Sequence, residues 1–222
     1  MKHAFGLNIP QTLEEACDPQ RTALLVYDMQ IGILSQLPDA APTTARVVRV
    51  LAAARAAGVR VFFTRHLSLP KETSGVFLLR QAMAWQRVST VAEVHPWFLR
   101  DAPGFQISPE VAPLPSEAVV DKITMAAFEG TFLNIALRDC AITTVIVVGF
   151  ALEIGIEPTV RHATDLGYLP VVVTDACGGR DEAARQRALD GFAFAGDAMM
   201  TDTASLCDLL AKHSPRKETS IE

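Results

Sequence analysis

Polar or small residues recur where short apolar runs end, and their types set what chemistry is open to them. Asp28 closes the run at 22–28 (TALLVYD), and Lys122 lies near the end of 118–123 (AVVDKI). Glu153 and Gly155 follow 144–149 (TVIVVG), and Asp175 and Cys177 follow 169–174 (LPVVVT). A carboxylate at the mouth of an apolar strand is disfavoured in its charged form unless a cation is close, and Lys122 is a candidate for that cation. A desolvated Asp–Lys pair is a general acid/base unit; the plainer alternative is a helix cap or a structural ion pair at the sheet edge. Gly155 opens the next helical segment, and the free N–H groups of a helix start suit an anion or an oxyanion. Cys177, in TDACGG, is either a reactive thiol or a buried inert one. His162 reads as a packed or surface histidine, and Cys17, Cys140 and Cys207 are assigned no chemistry.

The elements that must hold these residues alternate along the chain. Strands are expected at 22–28, 59–64, 118–123, 144–149, 169–174 and 198–201, and helices at 43–57, 75–87, 131–140, 155–166, 181–193 and 203–212. Runs that are apolar throughout are buried on both faces, which means a parallel sheet covered by helices. The order points to a doubly wound α/β domain with right-handed crossovers, in which ligands bind beyond the carboxyl ends of the strands. Residues 67–117, irregular and marked by Pro96, Pro103, Pro109, Pro113 and Pro115, are expected to cover the substrate site. A single domain is expected over 1–213, with a disordered tail at 214–222.

Composition narrows the function classes. Of 222 residues, 50% are apolar, with 13 Gly and 13 Pro, which excludes disorder, collagen-like repeats and coiled coil. Twenty basic against 25 acidic side chains give a net charge of −5 without a long basic cluster, so nucleic acid is not an expected partner. Four scattered cysteines without a Cys-x-x-Cys pair argue against a disulfide framework or structural zinc. No leader-like apolar region and no run of 18 apolar residues occurs, so a cytoplasmic protein without a membrane partner is expected. A Gly-x-Gly-x-x-Gly loop is absent, and nucleotide binding is not supported.

The motifs LLVYDMQ (24–30), the Lys122 strand, TMAAFEGTFLNIALRD (124–139), VVGFALEIGIEPTVRHATDLGY (147–168) and VVVTDAC (171–177) resemble the isochorismatase-like hydrolase superfamily. That superfamily includes isochorismatases and cysteine hydrolases such as nicotinamidase and N-carbamoylsarcosine amidohydrolase. The resemblance spans most of the chain and implies a six-stranded parallel sheet with helices on both faces. It also implies Asp28 as catalytic acid/base and Lys122 as its charged partner. Substrate-binding roles fall on Gln30, Phe128, Phe150, Ala151 and Glu153, and a cis peptide at Phe150–Ala151 is implied to shape an oxyanion hole. A small-molecule substrate and a homo-oligomer, dimer or tetramer, are further implications.

One departure matters for mechanism. The cysteine-hydrolase segment Gly-Val-x-Thr-x-x-Cys-Val-Glu, laid over 149–157, sets its nucleophile on Gly155, which offers none. Isochorismatases also resemble this chain in having glycine there, although Ala151 and Glu153 stand where they carry Tyr and His. The leading expectation is therefore vinyl-ether cleavage, with Asp28 protonating the vinyl carbon and water attacking the oxocarbenium carbon. One alternative is an amide or ureide hydrolase using water activated by Asp28 or Glu153, or Cys177 as nucleophile. Another is a binding protein without turnover. Arg65, Lys71, Arg80 and Arg87 are candidate anion partners. TRHLSLP offers only His66 in place of the nicotinamidase metal pattern, so no metal or cofactor is expected.

Overall fold

The structure, a computed structural model, describes residues 1–37 and 40–213; the tail expected at 214–222 lies outside the described residues. Lys2–Ala4 (β1) and Leu7–Ile9 (β2) form an antiparallel hairpin that turns at Phe5 and Gly6, both at positive φ, and was not anticipated from sequence. A short helix follows at Leu13–Ala16 (α1), capped by the Thr12 side chain. The chain then enters Thr22–Tyr27 (β3), a one-turn helix Ile31–Leu34 (α2), the long Ala40–Ala56 (α3) and Arg60–His66 (β4). Next come Val76–Gln86 (α4), Ala118–Lys122 (β5), Leu133–Asp139 (α5) and Thr144–Phe150 (β6). A π-helical turn, Leu152–Ile156, runs into Glu157–Asp165 (α6). Leu169–Gly178 (β7), Glu182–Ala195 (α7), Met199–Thr201 (β8) and Thr203–Ala211 (α8) complete the domain.

Six strands form one parallel sheet in the order β5-β4-β3-β6-β7-β8. All six residues of β3 are buried, and their side chains alternate between two cores. Leu24 and Val26 pack with α3 and α8 on one face; Ala23, Leu25 and Tyr27 pack with α5, α6 and α7 on the other. From β3 the chain winds outward to β5, then returns to β6 on the opposite side of β3. Asp28, the residue after β3, therefore sits where the winding reverses, the place where open α/β sheets leave a crevice. The segment after it is tied to the covering chain. Ile31 N–H donates to the Gln106 carbonyl, Ser108 N–H donates to the Met29 carbonyl, and Gln30 bridges Ile107. Gly32 lies so close to the Gly104 backbone that a Cβ there would approach Gly104 Cα to 2.9 Å.

Two differences from the sequence expectation bear on the site. Strand β7 continues through Thr174 and Asp175 to Gly178, so Asp175 and Cys177 belong to the strand rather than the loop beyond it. The polar pair Thr174–Asp175 ends the apolar run, but β7 bulges opposite Val147–Gly149, which lets Gly149 pair with Cys177 and Phe150 with Gly178. The helix expected from Gly155 begins earlier, as the π turn at Leu152, so Gly155 lies inside a helical turn rather than at its start. Among the described residues no helix is long and apolar enough to cross a membrane.

Gly149 is the glycine that the β3–β6 pairing depends on. Its φ is 122°, and an added Cβ would meet the Tyr27 carbonyl oxygen head-on, with Tyr27 C and N at 2.9 Å. Gly149→Ala should lower unfolding stability by about 3 kcal/mol or more, read as a lower urea midpoint at unchanged slope.

Candidate active site

Asp28 has φ 46°, outside the extended region of the strand it ends, and is 4% exposed. The parallel register aligns Val26 with Phe63, which brings Thr64 beside Asp28. Thr64 Oγ1 donates to Asp28 Oδ1 at 2.5 Å, and Asp28 N–H donates to Thr64 Oγ1 at 3.1 Å. Lys122, at the end of β5 and 2% exposed, reaches across to donate to Asp28 Oδ2 at 2.7 Å. It also donates to the Thr124 carbonyl at 3.2 Å and lies 4.5 Å from the centre of the Tyr27 ring. Burial pulls the Lys122 ammonium below its usual range, while the Asp28 charge and hydrogen bond oppose that pull.

Asp28 lines a cavity whose walls are mostly apolar. Tyr27, Met125, Phe150, Ala151, Ile154 and Gly155 form one side, and Trp85, Trp97 and Phe98, from the segment expected to cover the site, form another. Ile33, Gln36, Leu37, His66 and Arg180 complete the wall. Burial, reinforced by the Lys122 charge, lowers the His66 imidazole to about 4, so it is neutral at physiological pH. Arg180, itself exposed, is the one arginine or lysine among the described residues that border this cavity, and no cysteine lines it.

The structure thus brings Asp28, Phe150, Ala151 and Gly155 to one surface and Lys122 directly behind it. The Phe150–Ala151 peptide is cis. Three other candidates point elsewhere. Gln30 is fully buried, donating to the carbonyls of His66 and Phe105 and accepting from His66 N–H, so it clamps the end of β4 to the covering segment. Phe128 stacks on Tyr168 with ring centres 5.7 Å apart, inside the core beneath α5 and α6, with His162 at its edge. Glu153 Oε1 accepts from the N–H groups of Arg180 (2.7 Å) and Asp181 (3.3 Å), and its Oε2 is buried without a partner. Glu153 therefore sets the path of the Gly178–Gly179–Arg180 loop.

Other expectations from sequence are redirected by packing. The N–H groups of Ile154, Gly155 and Ile156 all converge on the Ala151 carbonyl, so Gly155 presents no free helix-start N–H to an oxyanion. Cys177 is buried, its thiol donates to the Val147 carbonyl, and burial pushes it up to about 12. Asp175 caps α8 through Thr203 and pairs with Arg46. Of the four candidate anion partners, Arg65 pairs with Asp121 over the Phe105 ring and Lys71 donates to the Ala92 carbonyl. Neither they nor Arg80 and Arg87 reach this cavity. Among the described residues, no cluster of three His, Cys, Asp or Glu side chains could hold a metal ion.

Sequence reasoning assigned no role to Tyr27, Thr64, Trp85, Trp97, Phe98 or Arg180, and considered His66 only as a metal ligand. Thr64 was reachable in principle, because it lies one strand over from Asp28. Arg180 follows a Gly-Gly pair at a strand end, a weak signal for a loop that approaches a ligand.

Removing the cation should expose how far Asp28 depends on it. Lys122→Met should cost about 3–5 kcal/mol of stability, and Asp28→Asn/Lys122→Met less than the sum of the two single changes, by urea denaturation. His66 gives a separate pH signature. Between its ordinary 6.5 and the lowered value near 4, the unfolded chain holds a proton that the folded chain refuses. Stability should therefore fall as pH drops through that window, with a slope that His66→Gln flattens.

The isochorismatase domain family matches residues 22–205. Ureidoacrylate amidohydrolase RutB of Serratia proteamaculans (strain 568) is 27% identical over 220 residues, covering 91% of this chain and 87% of that protein. The uncharacterized isochorismatase family protein YecD of Escherichia coli O157:H7 is 32% identical over 162 residues, 70% of this chain and 79% of that one. A cysteine hydrolase from Pseudomonas syringae pv. phaseolicola 1448A superposes with a TM-score of 0.77 at 23% identity, over 89% of this chain and 96% of the other, a likeness of fold. By the family match over most of its length, the chain belongs to the isochorismatase family of hydrolases.

Proposed function

We propose that this hydrolase cleaves a C–N bond of an amide or ureide in a small substrate bearing one carboxylate and an apolar, ring-sized group, with water rather than a cysteine as nucleophile. The observation that carries the reading is Asp28, fixed by Lys122 and Thr64, on an aromatic cavity that holds Arg180 and no cysteine. The ureidoacrylate amidohydrolases among the relatives support the bond type. Their substrate is named as a ureide of an acrylate, and a ureido carboxylate matches one acidic group to the single arginine that borders the cavity.

The step balances simply. Asp28 takes a proton from water as the oxygen adds to the carbonyl carbon, and returns it to the departing nitrogen as the C–N bond breaks. A ureide releases ammonia and a carbamate. Lys122 orients the carboxylate through its hydrogen bond to Oδ2, and the aromatic walls exclude bulk water around it.

Vinyl-ether cleavage is the second reading, kept by one observation, the bare Cα of Gly155, which suits a mechanism without a covalent intermediate. Isochorismate carries two carboxylates, for which this wall offers a single guanidinium.

Ammonia release from N-carbamoyl carboxylates with and without an aromatic group, run beside pyruvate release from isochorismate, separates the two. Ammonia release is expected, with Asp28→Asn reducing kcat by about 10²–10⁴-fold and Arg180→Gln acting mainly on KM. Pyruvate release that depends on Asp28 would establish the second reading instead, and no turnover of either substrate class would overturn both.

A further inference from the structure

The missing side chain at position 155 is matched by an unusually large one beside it. Tyr27 ends β3, faces the cavity with Gly155, and is 1% exposed. A Cβ built on Gly155 would collide with the Tyr27 hydroxyl oxygen and lie 2.6 Å and 2.7 Å from Cε1 and Cζ of its ring. Carbon atoms do not approach that closely, so either the ring or the helical turn has to move.

The ring has little room to do so. Its hydroxyl donates to the Met125 carbonyl, the Lys122 ammonium lies against its face, and its carbonyl faces Gly149 in the neighbouring strand. The turn is equally constrained, because three successive N–H groups are gathered on the Ala151 carbonyl and the Thr159 hydroxyl donates to the Gly155 carbonyl. Burial, with the Asp28 charge second, keeps the phenol protonated far above the usual tyrosine range, so it does not supply a nucleophile of its own.

We propose that Tyr27 determines the reaction type of this site. The phenol fills the space into which any side chain at position 155 would project, and so reserves Asp28 for water. The inference rests on the reading of Gly155 as the vacant position of the family nucleophile. It adds that the vacancy is enforced by the neighbouring ring on the same wall, so that restoring a cysteine alone does not restore covalent chemistry. Position 27 thereby becomes a specificity-determining position, acting by volume across a strand-to-helix contact.

The test needs no substrate. The melting midpoint is measured for Gly155→Cys, Tyr27→Val and the double variant Tyr27→Val/Gly155→Cys. Alkylation of the peptide that contains position 155 by iodoacetamide is followed by mass spectrometry. Gly155→Cys should melt about 5 °C or more below the parent chain. The double variant should melt above the sum of the two single shifts, and its new thiol should be alkylated at least about tenfold faster than in Gly155→Cys. Tyr27→Phe/Gly155→Cys should show no such recovery, because the ring carbons remain. If Gly155→Cys does not fold, folding of the double variant supports the proposal. A double variant at or below the sum, or failing to fold where Tyr27→Val folds, overturns it. Absence of ammonia release would remove the hydrolytic reading without touching this coupling, so the two failures are distinguishable.

Discussion

A carboxylate withdrawn from water at the end of a central strand is an expensive object, and the surroundings of Asp28 are arranged to offset that cost. Lys122 supplies the opposite charge, Thr64 a hydroxyl donor, and the strand register holds both within hydrogen-bond distance. Desolvating two charges is compensated only when geometry is good and the remaining lone pairs find donors. Three neighbouring strands contribute to this one contact: β3 delivers Asp28, β4 delivers Thr64 and β5 delivers Lys122. A slip of one residue in any of the pairings would turn a partner to the opposite face. The apolar alternation of β3 between two cores is therefore what keeps the ion pair assembled.

The opposite half of the sheet contributes shape rather than charge. At the end of β6 the chain passes through Phe150, Ala151 and the π turn, and each of these either lines the cavity or fixes the loop that carries Arg180. Glu153 illustrates the division. By its type it reads as a participant in chemistry, yet one oxygen is spent on two backbone N–H groups and the other is shielded. Its contribution is architectural: it holds the Gly-Gly-Arg segment against the π turn, where a Cβ on Gly179 would meet its side chain. The charge on the wall and the charge beneath it are thus separate in origin, Arg180 on a loop and Lys122 on a strand.

Much of this was legible before the structure, and the boundary of what was not follows a physical line. The apolar runs fix a sheet, and a carboxylate after the first central strand is a local signal that survives folding. Lys122 was legible as a cation at another strand end. Orientation was not: Gln30, Phe128 and Glu153 fall within the right motifs, but whether a side chain faces a cavity or a core depends on packing partners far away in sequence. The aromatic wall was hidden for the same reason, since Trp85, Trp97 and Phe98 lie in an irregular stretch without periodicity. The extended β7 was masked by Thr174 and Asp175, which lie in the bulge of β7 that restores the pairing beyond them.

The stitching between the segment after Asp28 and the covering chain makes the cavity unequal in its mechanics. Backbone hydrogen bonds from Ile31 and Ser108, and the tight approach of Gly32 to Gly104, bind the Phe98 side of the roof to the same body as Asp28. Helix α4, which carries Trp85, buries none of its residues completely, and Val76 and Phe77 at its start are largely exposed. Segments with few buried apolar contacts carry the lowest local stability, and among the walls of this cavity α4 is the one that fits that description. The cavity is thus framed unequally, one wall tied by backbone hydrogen bonds to the segment after Asp28 and the other, at Trp85, carried by a helix with no fully buried residue.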